Sequence, residues 1–140
     1  MDLIIFKTGV FRNFPGDDLI SFKNQEMNKF CFALDLKDDP ALIAEYDHWH
    51  KNENRWPEIM ESITVSGIMN MEIYRTGNRL FMVMETDDSF DFNIKAEMDA
   101  SNPKVQEWEK LMWNFQQPLP WAKEGEKWVM MDKIFQIRAQ

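Results

Sequence analysis

Two Pro-initiated helix starts, Asp39-Pro40 and Asn102-Pro103, divide this chain and restrict its fold more than any other feature. Asp or Asn caps the free N–H groups of a first helical turn, and Pro suits that turn because it has no N–H to leave unpaired. Before the first signal lies Phe30 to Leu36 (FCFALDL), rich in β-formers and closed by Lys37-Asp38-Asp39, which reads as a strand. After it, Leu42, Ile43, Tyr46 and His50 recur on one helical stripe. Lys51 to Arg55 is polar and reads as a loop. Trp56-Pro57-Glu58 opens a second helical piece, with Ile59 and Ile63 inward and Gly67 as its stop. Ile68–Arg75 and Leu80–Thr86 then flank Thr76-Gly77-Asn78-Arg79, a hairpin composition.

Residues 88–100 have helical composition, with Phe92, Ala96 and Met98 expected inward. The helix begun at Asn102-Pro103 should run to about Phe115, short of Pro118 and Pro120. Gly125 to Lys127 is a turn, and Trp128–Ile137 is expected to be the last strand. The order β-α-β-β-α-β is that of an α+β, ferredoxin-like unit, an antiparallel sheet with helices on one face. Strands this apolar cannot leave the second face in water. A homodimer closed through that face, a dimeric α/β barrel, is the expected assembly.

With 140 residues there is room for one ordinary domain. Residues 1–26 carry no sustained period and contain the turn signal Pro15-Gly16-Asp17-Asp18, so they read as an N-terminal extension, with the domain over 27–140. The net charge of −8 argues against nucleic-acid or anionic-membrane partners, which need basic patches. The single cysteine, Cys31, can make no internal disulfide and sits in an apolar run, as in a reducing compartment. No apolar run is long enough to span a bilayer, and the N-terminus is not a signal peptide. A cytoplasmic location is therefore expected.

Both histidines lie in Glu45-Tyr46-Asp47-His48-Trp49-His50. The i, i+4 spacing puts Tyr46 and His50 on one helix face and His48 on another. An imidazole, with an ordinary pKa of about 6.5, suits proton exchange at neutral pH. An equally simple role for such a histidine is to cap a helix end, favoured by the helix dipole. The neighbouring Asp47 and Glu53 complete no metal ligand set, and no phosphate loop, Ser-His-Asp pattern or reactive-cysteine context is present; neither metal nor cofactor is expected. Six Trp and 11 Phe are many for this length; most fill core and interface. Trp108 and Trp113 fall about 140° apart round a helix. One can lie in the core while the other reaches a cleft, and a Trp face beside a carboxylate is a usual sugar-binding pair.

The stretch Tyr46-x-x-x-His50, with Arg55-Trp56-Pro57-Glu58-Ile59, Gly67-Ile68, Ile73-Tyr74, Gln106-x-Trp108 and a closing segment near Ile134-Phe135, resembles the L-rhamnose mutarotase family. The likeness runs from about Met27 to Ile137. It implies a dimeric ferredoxin-like fold and cofactor-free interconversion of α and β sugar anomers. It also implies that His50 is the proton donor, that Tyr46 contacts the sugar, and that Trp108 is the first of two adjacent site tryptophans. The chain departs from the family at Glu109, which stands for the second tryptophan. Met71 stands for a substrate-contacting tyrosine, and the loop between His50 and Trp56 is longer. These changes touch the hydroxyl-reading side of the pocket and resemble the branch that acts on L-fucose. Glu109 is then a candidate second proton-transfer or hydroxyl-binding group. The rival readings are a cofactor-independent monooxygenase on the same dimeric fold and a non-catalytic sugar-binding dimer.

Overall fold

The computed structural model describes residues 27–138, so the reading of residues 1–26 as an extension lies outside the described residues. Both capping signals act as expected. The Asp39 carboxylate accepts from the N–H groups of Ala41 and Leu42 and starts α1 (Pro40–Trp49). The Asn102 side chain accepts from Lys104 and Val105 and starts α4 (Pro103–Trp113). Between them lie a short 3₁₀ turn (Asn52–Asn54) and α2 (Pro57–Thr64), which opens on Pro57. Asp91 caps α3 (Phe92–Ala100). Gly67, at φ +97°, reverses the chain after α2, and a Cβ there would meet the Asp87 carboxylate at 2.6 Å.

The strands β1 (Asn28–Leu36), β2 (Ile68–Thr76) and β3 (Arg79–Thr86) pair antiparallel in the order β2-β3-β1. Two short strands, β4 (Gln116–Gln117) and β5 (Val129–Met130), pair with the outer edge of β1. β3 alternates strictly: Leu80, Met82, Met84 and Thr86 are buried, while Arg79, Phe81, Val83 and Glu85 are half-exposed. Register carries the alternation sideways, with Phe32 beside Met82, Leu34 beside Leu80, and Ile73 beside Met82 on the other flank. This face receives the helices. Phe30 meets Phe92 of α3 at 4.9 Å between ring centroids, and Arg75 pairs with Asp47 of α1 at 2.7 Å. Tyr46, Ile59, Val105, Trp108 and Met112 from the helices join one buried cluster with the sheet. The opposite face shows Cys31, Ala33, Phe81, Val83 and Tyr74 with no described helix over it. The fold is thus the expected α+β arrangement of a curled antiparallel sheet with helices on one side.

Two expectations are corrected. The last strand is not Trp128–Ile137: only Val129 and Met130 pair with β1. Beyond them Ile134, Phe135 and Ile137 stand 79–94% exposed. Their β-forming composition is genuine, but a strand needs an edge to pair with, and among the described residues they reach none. In α3, Met98 points outward, and Lys95 and Asp99 are the residues buried in its place. The Lys95 ammonium donates to the Asp99 carboxylate at 2.8 Å and to the Ser62 carbonyl at 2.9 Å, tying α3 to α2. A pair four residues apart on a helix neutralises itself, so polarity alone misassigns that face. Burial pushes the Asp99 carboxyl up to about 6 and the Lys95 ammonium down, against their mutual attraction.

Candidate active site

The site is built where α1 ends. The His50 N–H bonds the Asp47 carbonyl at 3.1 Å, a tighter last turn than the α-helical one. That leaves the Tyr46 carbonyl to the His50 ring, whose Nδ1 lies 2.8 Å from it. A carbonyl only accepts, so Nδ1 carries the proton and Nε2 the lone pair. The ring that caps the helix end is thus also the candidate for proton exchange. His50 Nε2 is buried and has no hydrogen-bond partner among the described residues. Burial lowers the His50 pKa to about 4, outweighing the Tyr46 carbonyl and Asp47, which favour the protonated form. At neutral pH the ring is uncharged and presents a basic nitrogen inward.

Aromatic rings enclose it. Tyr46 lies 4.3 Å from His50 between centroids, tilted by 34°. Trp108 of α4 meets His50 edge-on at 5.7 Å, and Trp56 meets Trp108 at 5.1 Å. Phe115 closes on Tyr46 at 6.3 Å. The apolar flanks remove water from the imidazole, which is the physical origin of its low pKa. His48 takes the other side of the helix: the Asn54 amide donates to its backbone carbonyl at 2.7 Å and sits 3.5 Å from its Nε2 in an exposed setting.

Of the residues singled out in the sequence, Tyr46, His50 and Trp108 converge. Met71 lies on the helix-facing side of β2, beside Met84 and packed against the core. Glu109, although buried, bonds the Lys127 ammonium at 3.0 Å. It lines an open surface concavity of about 610 Å³ with Gln106, Trp113 and Lys127, which touches neither Tyr46 nor His50. Trp113 is the exposed member of its pair, with the Lys127 ammonium 4.4 Å from its ring centre. Trp56, which in the sequence reads as a helix start and as part of the family motif, adds its ring to the enclosure. Gln116 and Trp128, both buried with polar atoms turned inward, were not singled out at all.

The model of the L-rhamnose mutarotase family matches residues 29–137. The chain belongs to that family. It is accordingly an isomerase acting on carbohydrates, and the mutarotase resemblance seen in its motifs holds. An L-fucose mutarotase of Xanthomonas campestris pv. campestris is 45% identical over 111 residues, covering 79% of this chain and 89% of that one. Among solved structures, L-rhamnose mutarotase from Formosa agariphila superposes with a TM-score of 0.58 at 19% identity, covering 79% of this chain and 99% of that one. Tetracenomycin F2 cyclase from Streptomyces glaucescens, a type-II polyketide cyclase, superposes at 0.53 with 16% identity, covering 81% and 99%. At those identities the likeness is one of fold, and the polyketide cyclase illustrates how different a chemistry the fold can carry.

Proposed function

We propose that this chain is a mutarotase for a 6-deoxy-L-hexose, with L-fucose preferred over L-rhamnose, and that His50 is its acid/base residue. The single observation that carries the reading is the buried, uncharged His50 with its tautomer set by the Tyr46 carbonyl. In the forward step Nε2 takes the proton of the anomeric hydroxyl. The released electron pair becomes the C1=O bond, the C1–O5 bond breaks, and O5 takes the proton that His50 now carries. Rotation about C1–C2 exposes the other carbonyl face, and closure runs the same transfers in reverse. The imidazolium formed is the group that gives a proton back, so the donor role implied by the family follows the base role. Tyr46 holds its hydroxyl within reach of the same sugar, Trp108 is a stacking wall, and Met71 is part of the floor. Glu109 is a second candidate for proton transfer, although Lys127 already engages it.

The L-fucose preference draws on the 45% identical relative and on Glu109 and Met71, where this chain departs from the L-rhamnose pattern. The working unit in this reading is a cytoplasmic homodimer joined through the helix-free sheet face. Separately, among the described residues no helix is long and apolar enough to cross a membrane. Saturation-difference proton NMR across L-rhamnose, L-fucose, D-galactose and D-ribose tests the function. The fastest anomer exchange is expected with L-fucose, and binding without exchange of any sugar would overturn it.

A further inference from the structure

β1 presents Phe32, Leu34 and Leu36 to the helices, and two buried polar side chains line its outer edge on the same side. Gln116 of β4 lies opposite Leu36, and Val129 of β5 lies opposite Ala33. The ladder continued one residue back sets Trp128 beside Leu34. Side chains two residues apart along a strand stand about 7 Å apart on one face, so Gln116 and Trp128 are neighbours. Gln116 is 1% exposed and Trp128 2% exposed. Neither the amide nitrogen nor the amide oxygen of Gln116, nor the indole N–H of Trp128, has a hydrogen-bond partner among the described residues.

Such groups are rare in a fold, and each calls for a partner such as an ordered water, an ion or a ligand. Their place in the molecule says which ligand. Phe115, the residue before Gln116, packs on Tyr46, and Trp128 belongs to the same buried cluster as Tyr46, Trp108 and Phe115. The indole N–H of Trp108, in that cluster, and Nε2 of His50, whose ring meets Trp108 at 5.7 Å, are unmatched too. The inward polar set is then two indole donors, one amide that both donates and accepts, and one basic nitrogen. Sugar hydroxyls, each able to donate and accept, match such a set, whereas a polyketide-like aromatic would leave most of it unsatisfied.

We propose that Gln116, with the Trp128 N–H beside it, reads the ring hydroxyls of the substrate and sets the preference between L-fucose and L-rhamnose, an inference that rests on the mutarotase reading above. The two sugars differ in the configuration of the hydroxyls at C2 and C4. An amide that donates to one group and accepts from another at fixed positions separates such epimers, because the wrong one leaves it unpaired. Gln116→Met keeps the size of the side chain and removes its hydrogen bonding. Exchange is measured by NMR for both sugars, with a thermal melt of each protein. The expected result is a kcat/KM for L-fucose lowered about 10–100-fold, a much smaller change for L-rhamnose, and a melting temperature unchanged or raised. Trp128→Phe should move the same ratio in the same direction, and it stands as the test should Gln116→Met fail to fold. Equal slowing of both sugars with a lowered melting temperature would show a structural residue and overturn the inference. An unchanged ratio and rate would do the same. Should the unaltered enzyme exchange neither sugar, the mutarotase reading itself falls, which is a distinct outcome.

Discussion

The two faces of the sheet are finished to different degrees. On the helix side Leu34, Leu36, Met82 and Met84 are fully buried. One residue along, Val83 and Phe81 look out half-covered, beside Tyr74 at 55% exposure. The helix side therefore encloses His50 within one chain, while the other side has no described helix over it. The same strands supply both, so the difference comes from what packs on them. In the proposed reading, chemistry and assembly are divided between the two sides of one sheet.

The largest effect expected on the helix side is that of His50→Ala, which should slow anomer exchange by about 10²–10⁴-fold, the scale of a general acid-base group. His48→Ala, on the exposed side of the same helix, should leave the rate within a few-fold, and Tyr46→Phe should fall between. Rate measurements on the three folded variants check this; a normal rate in His50→Ala would move the proton transfer to Tyr46 or Glu109.

Neighbouring positions on β3 sharpen the contrast. Met82→Ala should cost about 2–5 kcal/mol in urea unfolding, the price of a cavity in a packed core. Val83→Glu should change the unfolding of a single chain far less, yet should give a monomer in sedimentation where the unaltered protein is expected to run as a dimer. A monomeric unaltered protein of full stability at micromolar concentration would remove the assembly half of the comparison.

A pH series has a smaller reach. With His50 protonating at about 4, the rate should hold nearly level from pH 7 to 5, halve near pH 4, and fall about ten-fold per unit below that. A solvent-exposed imidazole would give half-loss near pH 6.5 instead. For stability the sign is as follows: between pH 6.5 and 4 the unfolded chain binds the proton that folded His50 refuses, so the folded state loses ground as pH falls. Asp99, whose pKa is raised by burial, works in the opposite sense over much of that interval. The smallest change is expected from a chain beginning at Met27, which should fold and exchange anomers at the normal rate; loss of either would make residues 1–26 part of the domain.

Much of this architecture is legible from local chemistry. The caps at Asp39 and Asn102, the hairpin at Gly77 and the shared face of Tyr46 and His50 all follow from interactions a few residues long. The misses are of another kind. Ile134, Phe135 and Ile137 have strand composition, but composition does not say whether an edge is available to them. Lys95 and Asp99 violate the rule that charges face water because they neutralise each other, a relation seen only once the helix is placed. Glu109 could be singled out as a carboxylate, while the Lys127 that holds it lies 18 residues away across a turn. Gln116 and Trp128 gave no signal, since their meaning depends on register along β1.

The bond from the His50 ring to the Tyr46 carbonyl lies in the last turn of α1, and helix ends are where helices open first. Each such opening would let the imidazole swap tautomers and turn away without disturbing the sheet. Heating should therefore silence the enzyme a few degrees below the temperature at which the β1–β3 amides lose protection from hydrogen exchange. The exchange rates of the amides near His50 would report the fraction of molecules that are folded but inactive.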